Sequence, residues 1–177
     1  MYKIPKSIFV KGDVELKRYS DLSTRNYHHY YAVIKERSVE SVLELGVRYG
    51  YSAFAMLSAN PTMHYTGIDI CDLKYAKRLL YNNFPNAMIT FIEKNSHECD
   101  IDSSKKFDLV HVDGDHTLEG LRLDIALAHA HAKKTIFIHD YDYLPQVKQA
   151  TDEFLAAHAS MKRKYIPSFR GIMVITL

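Results

Sequence analysis

The sequence predicts an α/β domain, Rossmann-like and doubly wound, with a mostly parallel sheet of seven strands and helices on both faces. Three observations carry this. Short apolar runs alternate along the chain with stretches of helical periodicity. Within the runs the apolar residues are continuous, as in parallel strands covered on both sides. The last two runs flank Gly171 and are joined by a link too short for a crossover, so the sheet ends in a C-terminal antiparallel hairpin.

The first run, Val42, Leu43 and Leu45, makes a strand, and Gly46 and Gly50 follow it where the chain must turn sharply. Helix-forming residues occupy 52–59. Residues 64–69 give a second strand ending in Asp69. Over 73–84, Leu73, Ala76, Leu79, Leu80 and Phe84 recur at helical spacing until Pro85 and Asn86 stop the helix. Strands over 87–92 and 107–113, a helix over 117–132, a strand over 135–139 and a helix over 145–159 continue the alternation. Strands over 164–167 and 172–177 form the hairpin. Residues 1–38 read as an extension preceding a core of residues 39–177. In it, a helix starting near Ser23, a suitable N-cap, puts Tyr27, Tyr30, Tyr31 and Ile34 on one face. Packing against the sheet explains that face better than a lid or a subunit contact.

The 177 residues suffice for one sizeable core and not for two ordinary domains. Lys and Arg total 23 against 21 Asp and Glu, and the densest basic run, Lys162-Arg163-Lys164, reads as a solvated turn. No basic stripe supports a nucleic-acid partner. Cys71 and Cys99 have neither the number nor the spacing of a disulfide framework or a zinc site, and read as reduced thiols. Charged residues from Lys3 to Arg18 interrupt any signal core, and no later segment is long and apolar enough to span a bilayer. A cytoplasmic protein with no membrane partner is expected, with a homo-oligomer left open.

A strand, a glycine loop and a helix N-terminus together make a cradle for a nucleotide-like ligand. A dinucleotide loop requires Gly-x-Gly-x-x-Gly, but Arg48 and Tyr51 stand where its second and third glycines belong. A phosphate loop requires Gly-Lys-Ser or Gly-Lys-Thr, which is missing here. What remains, Glu44-x-Gly46-x-x-x-Gly50, resembles the first motif of class I S-adenosylmethionine-dependent methyltransferases. That resemblance implies the sheet order 3-2-1-4-5-7-6. It also implies a cofactor site formed by Glu44, Gly46, Gly50, Ser52 and Asp113, with Asn95 and Ser96 near the adenine. Asp69 ends the second strand about twenty residues beyond the loop, where a carboxylate accepts hydrogen bonds from ribose hydroxyls.

Two further clusters end strands. Asp113, Gly114, Asp115 and His116 follow the fourth, and His139, Asp140 and Asp142 follow the fifth. Adjacent parallel strands would bring both to one place, where carboxylates and an imidazole suit a divalent cation with open positions. The competing explanation is a helix cap at Asp115 and His116 beside a polar turn.

The pattern Val-Asp-Gly-Asp-His-Thr, then a helix, then Ile-His-Asp-Tyr is similar to methyltransferase family 24 and, more broadly, to magnesium-dependent sugar O-methyltransferases of macrolide biosynthesis. The resemblance implies Asp113 and Asp140 as metal ligands and His116 as general base. His139 stands where the sugar enzymes carry Glu, which removes one negative charge. An imidazole ligates manganese, iron or zinc, so the metal's identity is open. The expected function is transfer of a methyl group from S-adenosylmethionine to a hydroxyl of a small molecule, with divalent-metal assistance. The alternatives are a non-catalytic S-adenosylmethionine- or S-adenosylhomocysteine-binding protein and a nucleic-acid methyltransferase, the latter opposed by the lack of an Asn/Asp-Pro-Pro-Tyr motif.

Overall fold

The computed structural model describes residues 27–168 and 170–177. Ser23 and Phe169, and with them the predicted N-cap and part of the hairpin tip, lie outside the described residues. Seven strands, β1 (Ser41–Leu45), β2 (His64–Asp69), β3 (Met88–Glu93), β4 (Phe107–Val112), β5 (Ala132–Ile138), β6 (Lys162–Ile166) and β7 (Ile172–Thr176), form one sheet ordered β3-β2-β1-β4-β5-β7-β6. The first five are mutually parallel, and β7 runs antiparallel to both β5 and β6. The predicted fold and strand order are therefore those observed.

Helices follow the strands as the periodicity requires. The helix α1 is described over residues 27–36, and α2 (Tyr51–Ala59), α3 (Lys74–Asn83), α4 (Leu118–His131) and α5 (Pro145–Ala157) cover the two faces. Thr117 caps α4, its Oγ1 accepting from Gly120 N at 3.1 Å, and Pro145 opens α5 at a position where a missing N–H costs nothing. One core layer joins α1, α2 and the sheet through Tyr30, Ile34, Phe54 and Phe137, and the other joins α4 and α5 through Leu121, Ile125, Val147 and Leu155. Side chains such as Phe54 and Phe137, each about 1% exposed, contribute roughly 1.5–3 kcal/mol apiece by leaving water. The Tyr30 ring packs on Phe137 at 5.1 Å and edge-on to His111 at 4.9 Å, so α1 does pack against the sheet.

Two expectations fail. Lys162, Arg163 and Lys164 are solvated as expected but are not a turn: the strand expected from residue 164 begins at Lys162, so all three lie in β6, the outer edge strand, where charged side chains remain exposed. The sequence alone puts His129 and His131 on the surface of the helix over 117–132, but His131 is buried, and its Nδ1 lies 2.8 Å from the Lys105 carbonyl at the end of α4. Among the described residues no helix is long and apolar enough to cross a membrane.

Candidate active site

Strand order reverses between β1 and β4, and the crevice beyond their carboxyl ends is where a doubly wound sheet receives ligands. A cavity of about 840 Å³ opens there. Its first wall is the loop after β1. Gly46 has φ 88° and donates its N–H to Ile68 O at 2.9 Å, and a Cβ at this position would overlap the Asp113 carbonyl. Asp113 N in turn donates to Leu45 O at 2.8 Å, which draws the β1 and β4 loops together. Gly46→Ala is therefore expected to separate the two loops, lowering the melting temperature measured by circular dichroism. An unchanged melting curve would count against this close approach.

Asp69 clamps the same loop. One carboxylate oxygen accepts from Val47 N at 2.8 Å and Arg48 N at 2.7 Å, and the other from Cys71 N at 2.8 Å. Gly46, Ser52, Asp69, Asn95 and Ser96 all line the cavity. Glu44 and Gly50, also expected in the cofactor site, do not line the cavity. The Glu44 side chain is fully buried, with His111 Nδ1 at 2.9 Å from Oε1, Ser52 Oγ donating to the same oxygen and the Tyr65 hydroxyl donating to Oε2. It anchors the start of α2 from below. Gly50, with φ 77°, instead turns the chain into α2 close against Ala76. His111, an ionisable residue inside an apolar strand, reads from the sequence as a hydrogen-bonded core residue, and it is one.

The opposite wall brings the two strand-end clusters together. Asp113, His116, His139 and Asp140 all line the cavity. His139 Nδ1 lies 3.2 Å from Asp113 Oδ1 and 3.1 Å from Asp140 Oδ1, while His116 Nε2 lies 3.6 Å from Asp113 Oδ1 and 3.5 Å from Asp140 Oδ2. Burial works to raise the Asp113 carboxyl, but the His139, His116 and His111 imidazoles together outweigh it and hold the group well below the usual carboxylate range. Asp113 in turn raises His116, and it raises His139 against the opposing effect of burial. Asp140 is 1% exposed, its Oδ1 accepts no hydrogen bond, and its backbone takes a left-handed φ of 59°. Such strain in a non-glycine residue persists only where the surroundings enforce it. One ligand atom each from Asp113, His139 and Asp140 lie within 4.8 Å of one another. Asp115 accepts from Thr117 N at 2.8 Å and so shapes the turn before α4, as the competing explanation held, but His116 points to the carboxylates.

Residues 43–141, more than half of the chain, match the family model of a methyltransferase domain, number 24 among such families. The chain belongs to this methyltransferase family. No curated protein matches it in sequence. Among solved structures, the methyltransferase resembles the O-methyltransferase TomG of Streptomyces achromogenes, involved in tomaymycin synthesis and solved with S-adenosylmethionine. That pair has 15% identity and a TM-score of 0.71, covering 97% of this chain and 93% of the other. A putative caffeoyl-CoA O-methyltransferase from Staphylococcus aureus gives 18% identity and 0.70, covering 92% and 90%. The S-adenosylhomocysteine-bound methyltransferase PaMTH1 of Podospora anserina gives 16% and 0.70, covering 98% and 88%. At these identities the likeness is one of fold.

One residue beside the methyltransferase site escaped the sequence reading. Asp124, fully buried in α4, accepts from Ser96 Oγ at 2.7 Å and from Asp115 N at 3.2 Å, with His97 Nε2 at 3.1 Å. A signal for it existed: an acid set between Leu121, Ile125 and Ala128 on the apolar face of a helix must be paired. Tyr27 and Tyr30 of α1 also line the cavity, so the helix both packs and lines. Arg170, from the hairpin, lines it too, with Nη1 3.3 Å from Asp140 Oδ2 and its guanidinium 4.5 Å from the Tyr143 ring centre.

Proposed function

We propose that this methyltransferase transfers the methyl group of S-adenosylmethionine to a hydroxyl of a small molecule, with a divalent metal assisting. The observation that carries the reading is the meeting, across one cavity, of the Gly46–Asp69–Ser96 wall with the Asp113–His116–His139–Asp140 wall. The first suits a nucleoside and the second a hydroxyl losing its proton. The structural likeness to proteins described as O-methyltransferases supports the same direction.

On the donor side, a carboxylate has about four acceptor positions. Asp69 uses three on the loop N–H groups, which leaves room for a ribose hydroxyl. The first turn of α2, reached through Tyr51 and Ser52, adds N–H groups without intrahelical partners, a fit for the carboxylate of the methionine part. On the acceptor side, the buried Oδ1 of Asp140, lacking a hydrogen bond, fits the requirement for a metal ligand, and Asp113, His139 and Asp140 would hold the ion. When bound, the ion acts as a Lewis acid that lowers the hydroxyl's pKa. His116 Nε2 takes the hydroxyl proton, and Asp113 and Asp140 stabilise the imidazolium that results. As the oxygen lone pair forms the new O–C bond, the C–S bond breaks and its electrons leave the sulfonium as a neutral thioether. The remaining task is alignment of oxygen, methyl and sulfur, worth about 7 kcal/mol or more where the fit is good.

Calorimetry tests the donor assignment. S-adenosylmethionine and S-adenosylhomocysteine should both bind, and Asp69→Ala should weaken each by about tenfold or more, because a charge-assisted hydrogen bond worth about 1.5–3 kcal/mol is lost together with the loop's shape. Failure of the unmodified chain to bind either compound would end this reading.

A further inference from the structure

We infer that the Asp113–His139–Asp140 cluster selects a borderline transition ion, of the manganese, cobalt or zinc class, over magnesium, and that His139 makes the selection. The inference rests on the proposed function only for what the ion would do; the selection itself follows from the donor set.

Geometry comes first. Metal–ligand bonds of about 2.1 Å place neighbouring ligand atoms about 3.0–3.4 Å apart in octahedral or tetrahedral arrangements. His139 Nδ1 lies 3.2 Å from Asp113 Oδ1, a hydrogen bond, and 3.1 Å from Asp140 Oδ1, separations that one ion could bridge in place of the direct contact. Asp140 Oδ1 is an independent indication. It belongs to a side chain 2% exposed and accepts no hydrogen bond, with the His139 ring nitrogen 3.1 Å away, a costly arrangement for a carboxylate oxygen unless a cation meets it. The other oxygen of the same carboxylate faces Arg170 and His116, so the two oxygens have separate partners and Oδ1 is left to the cluster.

Chemistry then decides the class of ion. Two carboxylates neutralise a divalent charge, and the third donor is a neutral imidazole nitrogen. Magnesium prefers an all-oxygen octahedron and gives up its water reluctantly, whereas manganese, cobalt and zinc take mixed nitrogen and oxygen sets. His139 is 12% exposed, so a water cannot readily take its place.

The full-length protein is titrated with manganese by calorimetry, with electron paramagnetic resonance reading the bound fraction, and magnesium is then added in competition. One equivalent of manganese should bind and resist about a hundredfold excess of magnesium. Cobalt in the same site should give visible bands typical of nitrogen ligation. His139→Ala should weaken manganese by about tenfold or more, and His139→Glu should keep an ion while moving the preference toward magnesium. Displacement of manganese by equal magnesium, equal manganese affinity in His139→Ala, or no manganese binding would each overturn the inference. S-adenosylhomocysteine binding in the same samples separates the two readings. If that compound binds normally but manganese is not preferred, the selection is wrong and the donor assignment stands.

Discussion

Methyl transfer should fall by about 10²–10⁴-fold when His116 is replaced by alanine, the range expected for loss of a positioned general base, while S-adenosylhomocysteine affinity changes little. The two effects separate because His116 sits on the acceptor wall. Its Nε2 faces Asp113 and Asp140, whereas the donor wall is built from the Gly46 loop, Asp69 and the Asn95–Ser96 turn. Its side chain is 43% exposed and carries little of the core, so alanine should leave the fold intact. Transfer of labelled methyl groups across a panel of hydroxylated acceptors gives the rate, and calorimetry gives the affinity. Unchanged turnover would remove His116 as the base. A parallel loss of cofactor binding would instead make it a structural residue.

Glu44→Ala should lower stability by about 3–5 kcal/mol, the cost of breaking a buried charged network by removing one partner. Truncation deprives three buried groups of their common acceptor: His111 Nδ1, the Tyr65 hydroxyl and Ser52 Oγ. His111 already has a buried Nε2 with no hydrogen-bond partner, so its second nitrogen would join the first. Burial and the Glu44 carboxylate also push the Tyr65 phenol well above its ordinary pKa, so that hydroxyl stays a donor that needs an acceptor. Glu44→Gln keeps the shape and one acceptor and should cost less. Urea denaturation of the three proteins supplies the comparison, and a loss below about 1 kcal/mol in the alanine variant would contradict this account of the network.

The contrast between Glu44 and Asp69 shows what the sequence made legible. Both acids stand at expected places in strands β1 and β2, and the strands themselves follow from apolar continuity. Asp69 lies at a strand end, where a side chain reaches the crevice. Glu44 lies one residue inside, where the pleat turns it into the packed layer under α2, a distinction of facing that motif spacing does not encode. The clusters after β4 and β5 were legible for a topological reason: adjacent parallel strands must deliver their ends together. Arg170 was harder, because its approach to Asp140 depends on hairpin register and on backbone bonds from Tyr141 N to Gly171 O and from Asp142 N to Arg170 O, both 3.1 Å. His131 was misplaced because residue type alone suggested solvent, whereas the Lys162–Lys164 run, exposed as its residue types suggest, lies in a strand rather than a turn. The helix end and the sheet edge decide each case differently.

Asp124 bears on how such a protein can change over evolutionary time. One carboxylate secures both the turn carrying Ser96 and the turn carrying Asp115, and both turns line the cavity. Variation that adapts the protein to a new acceptor must either spare this shared tether or replace both of its arms at once. The freer ground is α1 and the β6–β7 hairpin, whose Tyr27, Tyr30 and Arg170 reach the same cavity without leaning on it. New specificities should accumulate there while the stretch from Asp113 to Asp124 changes slowly.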